Sequence, residues 1–176
     1  MTATAEKVVP RIYVGTYQKY SGGSIAGAWI DLSEFDSYEE LEQRCKELHA
    51  DELDPEYMVQ DFEGYPKAMY HESGLPTEEE FSFIKELAEL DSDEYEAYSE
   101  YAGHMGNLPT VEDFREAYQG ETSEREFAVQ LADELGYYDA MKKAGINAAY
   151  FDDEAFARDL FCGDYFSTGG YIFRNS

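Results

Sequence analysis

Basic residues are what this sequence has least of: thirteen Lys and Arg stand against thirty-nine Asp and Glu in 176 residues. The formal net charge is −26 and the pI is about 4.2. So few cations exclude a direct grip on nucleic acid or on an anionic membrane, both of which need a positive patch. Lys142-Lys143 is the one adjacent basic pair. No run of about 18 apolar residues exists, which excludes a membrane-spanning helix. Cysteine is scarce as well. Cys45 and Cys162 are too few for a disulfide framework and read as reduced core residues. Met1 to Pro10 has no apolar stretch of signal-peptide length, so a cytoplasmic location is expected.

Catalytic motifs are missing too. There is no P-loop, no GxGxxG and no CxxC, and His49 is followed by Ala-Asp-Glu-Leu rather than by a second zinc-binding His. His49, His71 and His104 are scattered and read as surface or helix-end residues. Asp91-Ser-Asp93-Glu-Tyr95 resembles the start of a calcium loop, but the sixth position is Glu96 rather than Gly and the twelfth is Ala102 rather than Glu. The chain therefore reads as a non-enzyme, with no cofactor and no metal site.

What is present is a folded acidic chain. Hydrophobic residues make up 43% and aromatic residues 16%, too many for a disordered acidic tail. The charge is even along the sequence: −9 over residues 11–63, −9 over 64–108 and −8 over 109–176. Even spacing makes the charge a coat over a folded body rather than a solvated run at one end.

Local patterns divide the chain the same way, with residues 1–10 as an N-terminal extension. Residues 11–17 and 24–32 are β-rich runs expected to form a hairpin through a Gly-containing turn. Ser37 to Glu40 reads as a capping box opening a helix to about His49, with Tyr38, Leu41, Cys45 and Leu48 inward. Tyr57 to Phe62 is a third extended run, closing an α+β domain over residues 11–63. The middle, residues 64–108, reads as helical. Thr77 to Glu80 is a second box, followed by inward Phe81, Ile84, Leu87 and Ala88. Ser92 is the expected cap of the next helix, with Tyr95, Tyr98, Ala102 and Met105 inward. Residues 109–176 form a second α+β domain. Thr110 starts a short helix, and Tyr118 to Gly120 is turn-like. Ser123 to Glu126 opens a helix with inward Phe127, Leu131 and Leu135. Asp152 to Phe161 is the last helix, and a hairpin turns at Gly169-Gly170.

Acids in the first turn of a helix complement its dipole, but the matching C-terminal Lys and Arg are scarce, so the excess is not a helix-stabilising device. Duplex DNA carries about one charge per 1.7 Å, so 26 charges correspond to roughly 44 Å, or ~13 base pairs. A coat of that size could enter a basic groove built for DNA, with carboxylates in place of phosphates.

Three stretches carry a family resemblance: residues 12–32 (IYVGTYQKYSGGSIAGAWIDL), 113–136 (DFREAYQGETSEREFAVQLADELG) and 150–175 (YFDDEAFARDLFCGDYFSTGGYIFRN). Their order resembles the ArdA antirestriction proteins over most of residues 11–175. The resemblance implies a DNA mimic that occupies the DNA-binding groove, in the specificity and methyltransferase subunits, of type I restriction–modification enzymes. It implies an elongated α+β fold of three small consecutive domains (α+β, mainly helical, α+β), joined as a homodimer through the last. No catalytic residue is implied. The expected partner-binding groups are outward helix acids: Glu39, Glu40, Glu42, Glu47, Glu79, Glu80, Glu86, Glu89, Asp93, Glu94, Glu96, Glu100, Glu112, Asp113, Glu116, Asp133 and Glu134. The expected dimer contacts are Tyr137, Tyr138, Phe151 and Phe166. Composition alone leaves other readings open: a halophilic-type domain whose acids hold hydration, an acid-rich metal binder or enzyme, or a chaperone for basic DNA-binding proteins.

Overall fold

A computed structural model describes residues 6–176, so the first half of the expected extension lies outside the described residues. Mixed helices and two small antiparallel sheets make the fold α+β. The chain divides into two compact units, one ending at Tyr95 and the other covering Glu96–Ser176.

In the N-terminal unit, β1 (Arg11–Thr16) is the central strand of a sheet, between β2 (Ala28–Asp31) and β3 (Tyr57–Glu63). Ile12 pairs with Ile30 on one side and Phe62 on the other, and Ile12, Val14, Ile30 and Val59 are buried. The expected hairpin forms, with β1 antiparallel to β2, but its connection is longer than the Gly-containing turn alone. Thr16 Oγ accepts a hydrogen bond from Lys19 N and winds Tyr17–Ser21 into a single helical turn, α1. The chain reaches the sheet again only at Ala28, so β2 has four residues rather than the expected nine. Gly27 sits at the entry, where an added Cβ would lie 2.3 Å from the Val14 carbonyl oxygen.

Two helices of this unit bury the stripes expected of them. In α2 (Tyr38–Leu48), Leu41 and Cys45 are buried while Tyr38 and Leu48 flank them, partly exposed. Ser37 caps the helix by accepting from Glu40 N, but the Glu40 carboxylate turns to Asp36 N, one residue short of a reciprocal box. Burial pushes the Cys45 thiol up to about 12, which suits an inert packing role. In α3 (Glu78–Leu87) the box is complete: Thr77 and Glu80 exchange hydrogen bonds, and Phe81, Ile84, Leu87 and Ala88 are all buried as expected. The next helix, α4 (Ser92–Met105), differs from expectation twice. Its cap is Asp91, not Ser92, because Asp91 and Glu94 exchange the reciprocal pair of bonds. Its buried residues are Ala97, Tyr98 and Tyr101; Tyr95 and Ala102 are half-buried and Met105 is exposed.

In the C-terminal unit, α5 (Val111–Ala117) leads into β4 (Tyr118–Glu121), then α6 (Glu124–Glu134), α7 (Tyr137–Lys143), α8 (Asp153–Phe161) and the hairpin β5 (Tyr165–Thr168) and β6 (Tyr171–Arg174). Tyr118 to Gly120 is therefore a strand and not a turn, since it pairs along β6 and completes the order β4-β6-β5. Gly169 and Gly170 form the hairpin tip with φ of 60° and 90°, a region that glycine enters without steric penalty.

The core of this unit is aromatic. Phe114 is fully buried and meets Tyr98 at 5.6 Å, Tyr118 at 5.2 Å and Phe173 at 6.3 Å between ring centroids. Tyr101 stacks on Phe173 and Phe166, which is what turns this face of α4 inward in place of Ala102 and Met105. In α6 the buried residues are Ala128 and Ala132, beside Ala157 of α8. Small side chains bring the two helices close, so Phe127 and Leu131 flank the seam and Leu135 is exposed. Cys162 is exposed, not the core residue its neighbours suggested.

Candidate protein-binding surface

Carboxylates dominate both units. The residues up to Tyr95 hold 23 acidic and 7 basic residues, net −16, and those from Glu96 hold 16 and 6, net −10. Part of the small basic complement is already engaged within the chain. Lys7, Arg11, Arg125 and Lys143 each pair with a carboxylate of the chain itself, and Lys85 donates to the Phe35 carbonyl.

The seventeen expected partner-binding acids are exposed except Glu42, Glu80 and Glu94, which are half-buried. The structure sorts them into two sets. The first set is used by the fold. Glu80, Glu94 and Asp113 complete helix caps, and Glu40 accepts from Asp36 N. Glu47 and Glu134 accept from Gln43 and Gln130 one turn earlier. Glu89 pairs with Lys7 at 3.1 Å. Glu96 and Glu100 accept from Tyr171 and Thr168 of the C-terminal hairpin. Burial alone would raise Glu80, but hydrogen bonds from His71 and Thr77 outweigh it and hold the carboxyl below its ordinary value.

The second set is Glu39, Glu42, Glu79, Glu86, Asp93, Glu112, Glu116 and Asp133. Among the described residues their side chains have no hydrogen bond or ion pair. A carboxylate in water without a partner keeps all its acceptor sites for an incoming guanidinium or ammonium. Six of the first set are held by residues three or four positions away, at caps and one-turn pairs, whereas Glu89, Glu96 and Glu100 meet distant partners that sequence spacing does not show.

One polar cluster was not anticipated. His49 is the C-cap of α2, a helix end as expected, yet it is buried. Its Nε2 lies 3.2 Å from the Val14 carbonyl oxygen and its Nδ1 2.9 Å from Lys19 Nζ. A carbonyl can only accept and an ammonium can only donate, so the proton sits on Nε2 and Nδ1 accepts. Lys19 also reaches Asp51 at 2.9 Å and Glu52 at 3.7 Å, and Glu52 takes a 2.6 Å bond from Thr16 Oγ. The hydrogen bond from Lys19 holds Asp51 below its ordinary value. His49, Asp51 and Glu52 offer three ligand atoms within 4.8 Å of one another, but the Lys19 ammonium is already their cation. The calcium-loop candidate is explained similarly: Asp91 is a helix cap.

Three of the four expected dimer contacts come together. Tyr137, Tyr138 and Phe151 form one aromatic cluster with Phe156, with exposed Leu135, Ile146 and Tyr150 nearby in sequence. Phe166 is elsewhere, stacked between His104 and Phe173. One cleft of this unit, lined by polar and apolar groups alike, runs from Tyr101 to Pro109 and Arg174, with a volume near 660 Å³.

Fold and surface together define a class: an acidic α+β protein whose helix faces present carboxylates. Comparison with known protein families then places residues 12–173 in the family described as ArdA, antirestriction protein. The match spans nearly the whole chain, and the chain belongs to that family. Neither the curated proteins nor the solved structures provide a match. Membership implies antirestriction activity and interaction with restriction–modification enzymes, and the family is one of inhibitors rather than enzymes. No helix among the described residues is long and apolar enough to cross a membrane.

Proposed function

We propose that this protein acts as a DNA mimic: it enters the DNA-binding groove of a type I restriction–modification enzyme and keeps DNA out. The observation that carries this reading is the set of eight exposed or half-exposed carboxylates that the fold leaves unpartnered, distributed over both units. They stand in for phosphates against the Lys and Arg of the specificity and methyltransferase subunits. The division into three domains at about residues 63 and 108 belongs to the same reading, as does a cytoplasmic site of action. So does a homodimer. The cluster of Tyr137, Tyr138 and Phe151 supports its seat, since a two-fold contact must bury apolar surface and Phe166 is already covered by rings of its own unit.

The test is a cleavage assay with a type I enzyme on unmodified DNA. Excess protein should prevent cleavage, and added salt should restore it as screening increases. Full cleavage in the presence of excess protein at moderate salt rejects the proposal. Glu→Gln and Asp→Asn changes at the eight positions should weaken inhibition step by step.

A further inference from the structure

The outer face of the N-terminal sheet carries a cleft that the carboxylate coat does not account for. It has a volume near 390 Å³ and an aromatic wall. Tyr13 of β1 and Trp29 of β2 are cross-strand partners, packed edge to face with centroids 5.7 Å apart. Arg11 covers the Trp29 ring at 5.2 Å and is itself held by Glu63, which fixes the ring from below. The Tyr13 hydroxyl donates to the Ile25 carbonyl at 2.9 Å and holds the 22–27 loop over the cleft. As a result three large apolar side chains face solvent together: Ile25 is 73% exposed, Tyr20 54% and Trp29 40%. Asp61, opposite Tyr13 on β3, and Glu72 complete the lining. Neither has an ion pair among the described residues, and Arg11 of the same sheet is bound to Glu63.

Aromatic faces attract a cation through their quadrupole, and a planar guanidinium also stacks on them. Two carboxylates at the edge supply the hydrogen-bond acceptors that such a cation needs when it leaves water. Tyr and Trp in a concave site are typical anchors of protein interfaces. We propose that this cleft is an anchor site for one arginine side chain, presented between apolar residues by a protein partner. Charge complementarity selects that occupant: an acidic rim over an aromatic floor repels an acidic side chain and favours a cation over a neutral one. Unlike the coat, the cleft binds through desolvated contact and so holds at high salt. The assignment does not depend on the antirestriction reading.

Trp29 is the only tryptophan of the chain, so its fluorescence reports this cleft directly. The probe is a capped Leu-Arg-Leu peptide, titrated in about 0.5 M salt, where the screening length falls to roughly 4 Å and the coat is largely silent. A saturable fluorescence change at millimolar peptide is expected. The same peptide with citrulline, a neutral isostere, should bind at least about tenfold more weakly. The double variant Asp61→Asn/Glu72→Gln should lose about tenfold. Ile25→Ser should lose affinity with no change in charge. Asp159→Asn/Asp164→Asn, which removes two charges from the other unit, should change nothing. Circular dichroism confirms that each variant is folded. No saturable change with the native chain overturns the proposal. So does equal binding of the citrulline or a lysine peptide, or an equal loss in the Asp159/Asp164 pair.

Discussion

In the N-terminal unit, beside an aliphatic core of Ile12, Val14, Leu32 and Leu41, the space next to the central strand holds an imidazole, His49, and a nearly buried carboxylate, Glu52, tied together by Lys19. In the C-terminal unit the same depth is filled by Tyr98, Phe114 and Phe173. Both solutions cover a small three-stranded sheet, but they rest on different forces. The first depends on every donor and acceptor being met, since an orphaned buried polar group is costly. The second depends on ring area and on rings packed stacked, tilted and edge to face, which salt and pH barely touch. Two small bodies with the same acidic exterior are thus stabilised by different interiors.

Truncating the aromatic centre should have the largest effect. Phe114→Ala removes the ring that Tyr98, Tyr101, Tyr118 and Phe173 share and should cost about 3–5 kcal/mol, read from urea unfolding by circular dichroism. A loss below that of Leu41→Ala in the aliphatic core of the other unit would break the comparison. Next comes the polar network. Lys19→Met leaves His49 Nδ1 without its donor and Glu52 without its cation and should cost about 1–3 kcal/mol, followed by Trp29 fluorescence in urea. Adding Glu52→Gln should recover part of that loss; no recovery would mean that Lys19 acts through packing alone.

Helix caps, which both units share, should matter less and equally. Thr77→Ala and Ser123→Ala should each cost about 1 kcal/mol. Their partners also set a pH dependence. Hydrogen bonds from Ser123 hold Glu126 below its ordinary value, and Glu80 is held low as well. A depressed carboxyl stabilises the fold above its unfolded value, near 4.5, and that contribution is lost as pH falls through the lower folded value. Thermal unfolding of Thr77→Ala should therefore depend less on pH below about 4.5 than that of the native chain. Smallest of all should be the coat. Glu86→Gln and Asp133→Asn, one in each unit, should shift stability by no more than about 0.5 kcal/mol. A larger shift would move that acid into the set the fold uses.

Where large aliphatic residues repeat at helical spacing, the sequence was legible: Phe81, Ile84, Leu87 and Ala88 are buried together, and the Thr77 and Ser123 boxes cap their helices. The Gly169-Gly170 hairpin was equally plain. Periodicity failed where size and burial part company. In α6 it is Ala128 and Ala132 that touch the neighbouring helix, and a pattern weighted towards Phe and Leu points one residue away. Tyrosine is the other source of error, because it suits an interior and a wet surface alike; nothing local decides between Tyr95 and Tyr101 in α4. The acids themselves were legible as helix-face residues. Which of them are engaged was not, since Glu96 and Glu100 meet partners on a hairpin some seventy residues away.

The split between engaged and unpartnered carboxylates has a consequence for how such a chain can change over generations. Glu80, Glu94 and Asp113 each accept from a backbone amide at the start of their helix and answer to local geometry. Glu39, Glu79, Glu86 and Glu112 have no such tie among the described residues, and in the proposed mimicry they answer only to a sum of charge. Any one of them can be exchanged for an acid a turn away with little loss, and a lineage under pressure from a changing enzyme could redraw its charge map repeatedly without first having to rebuild a helix.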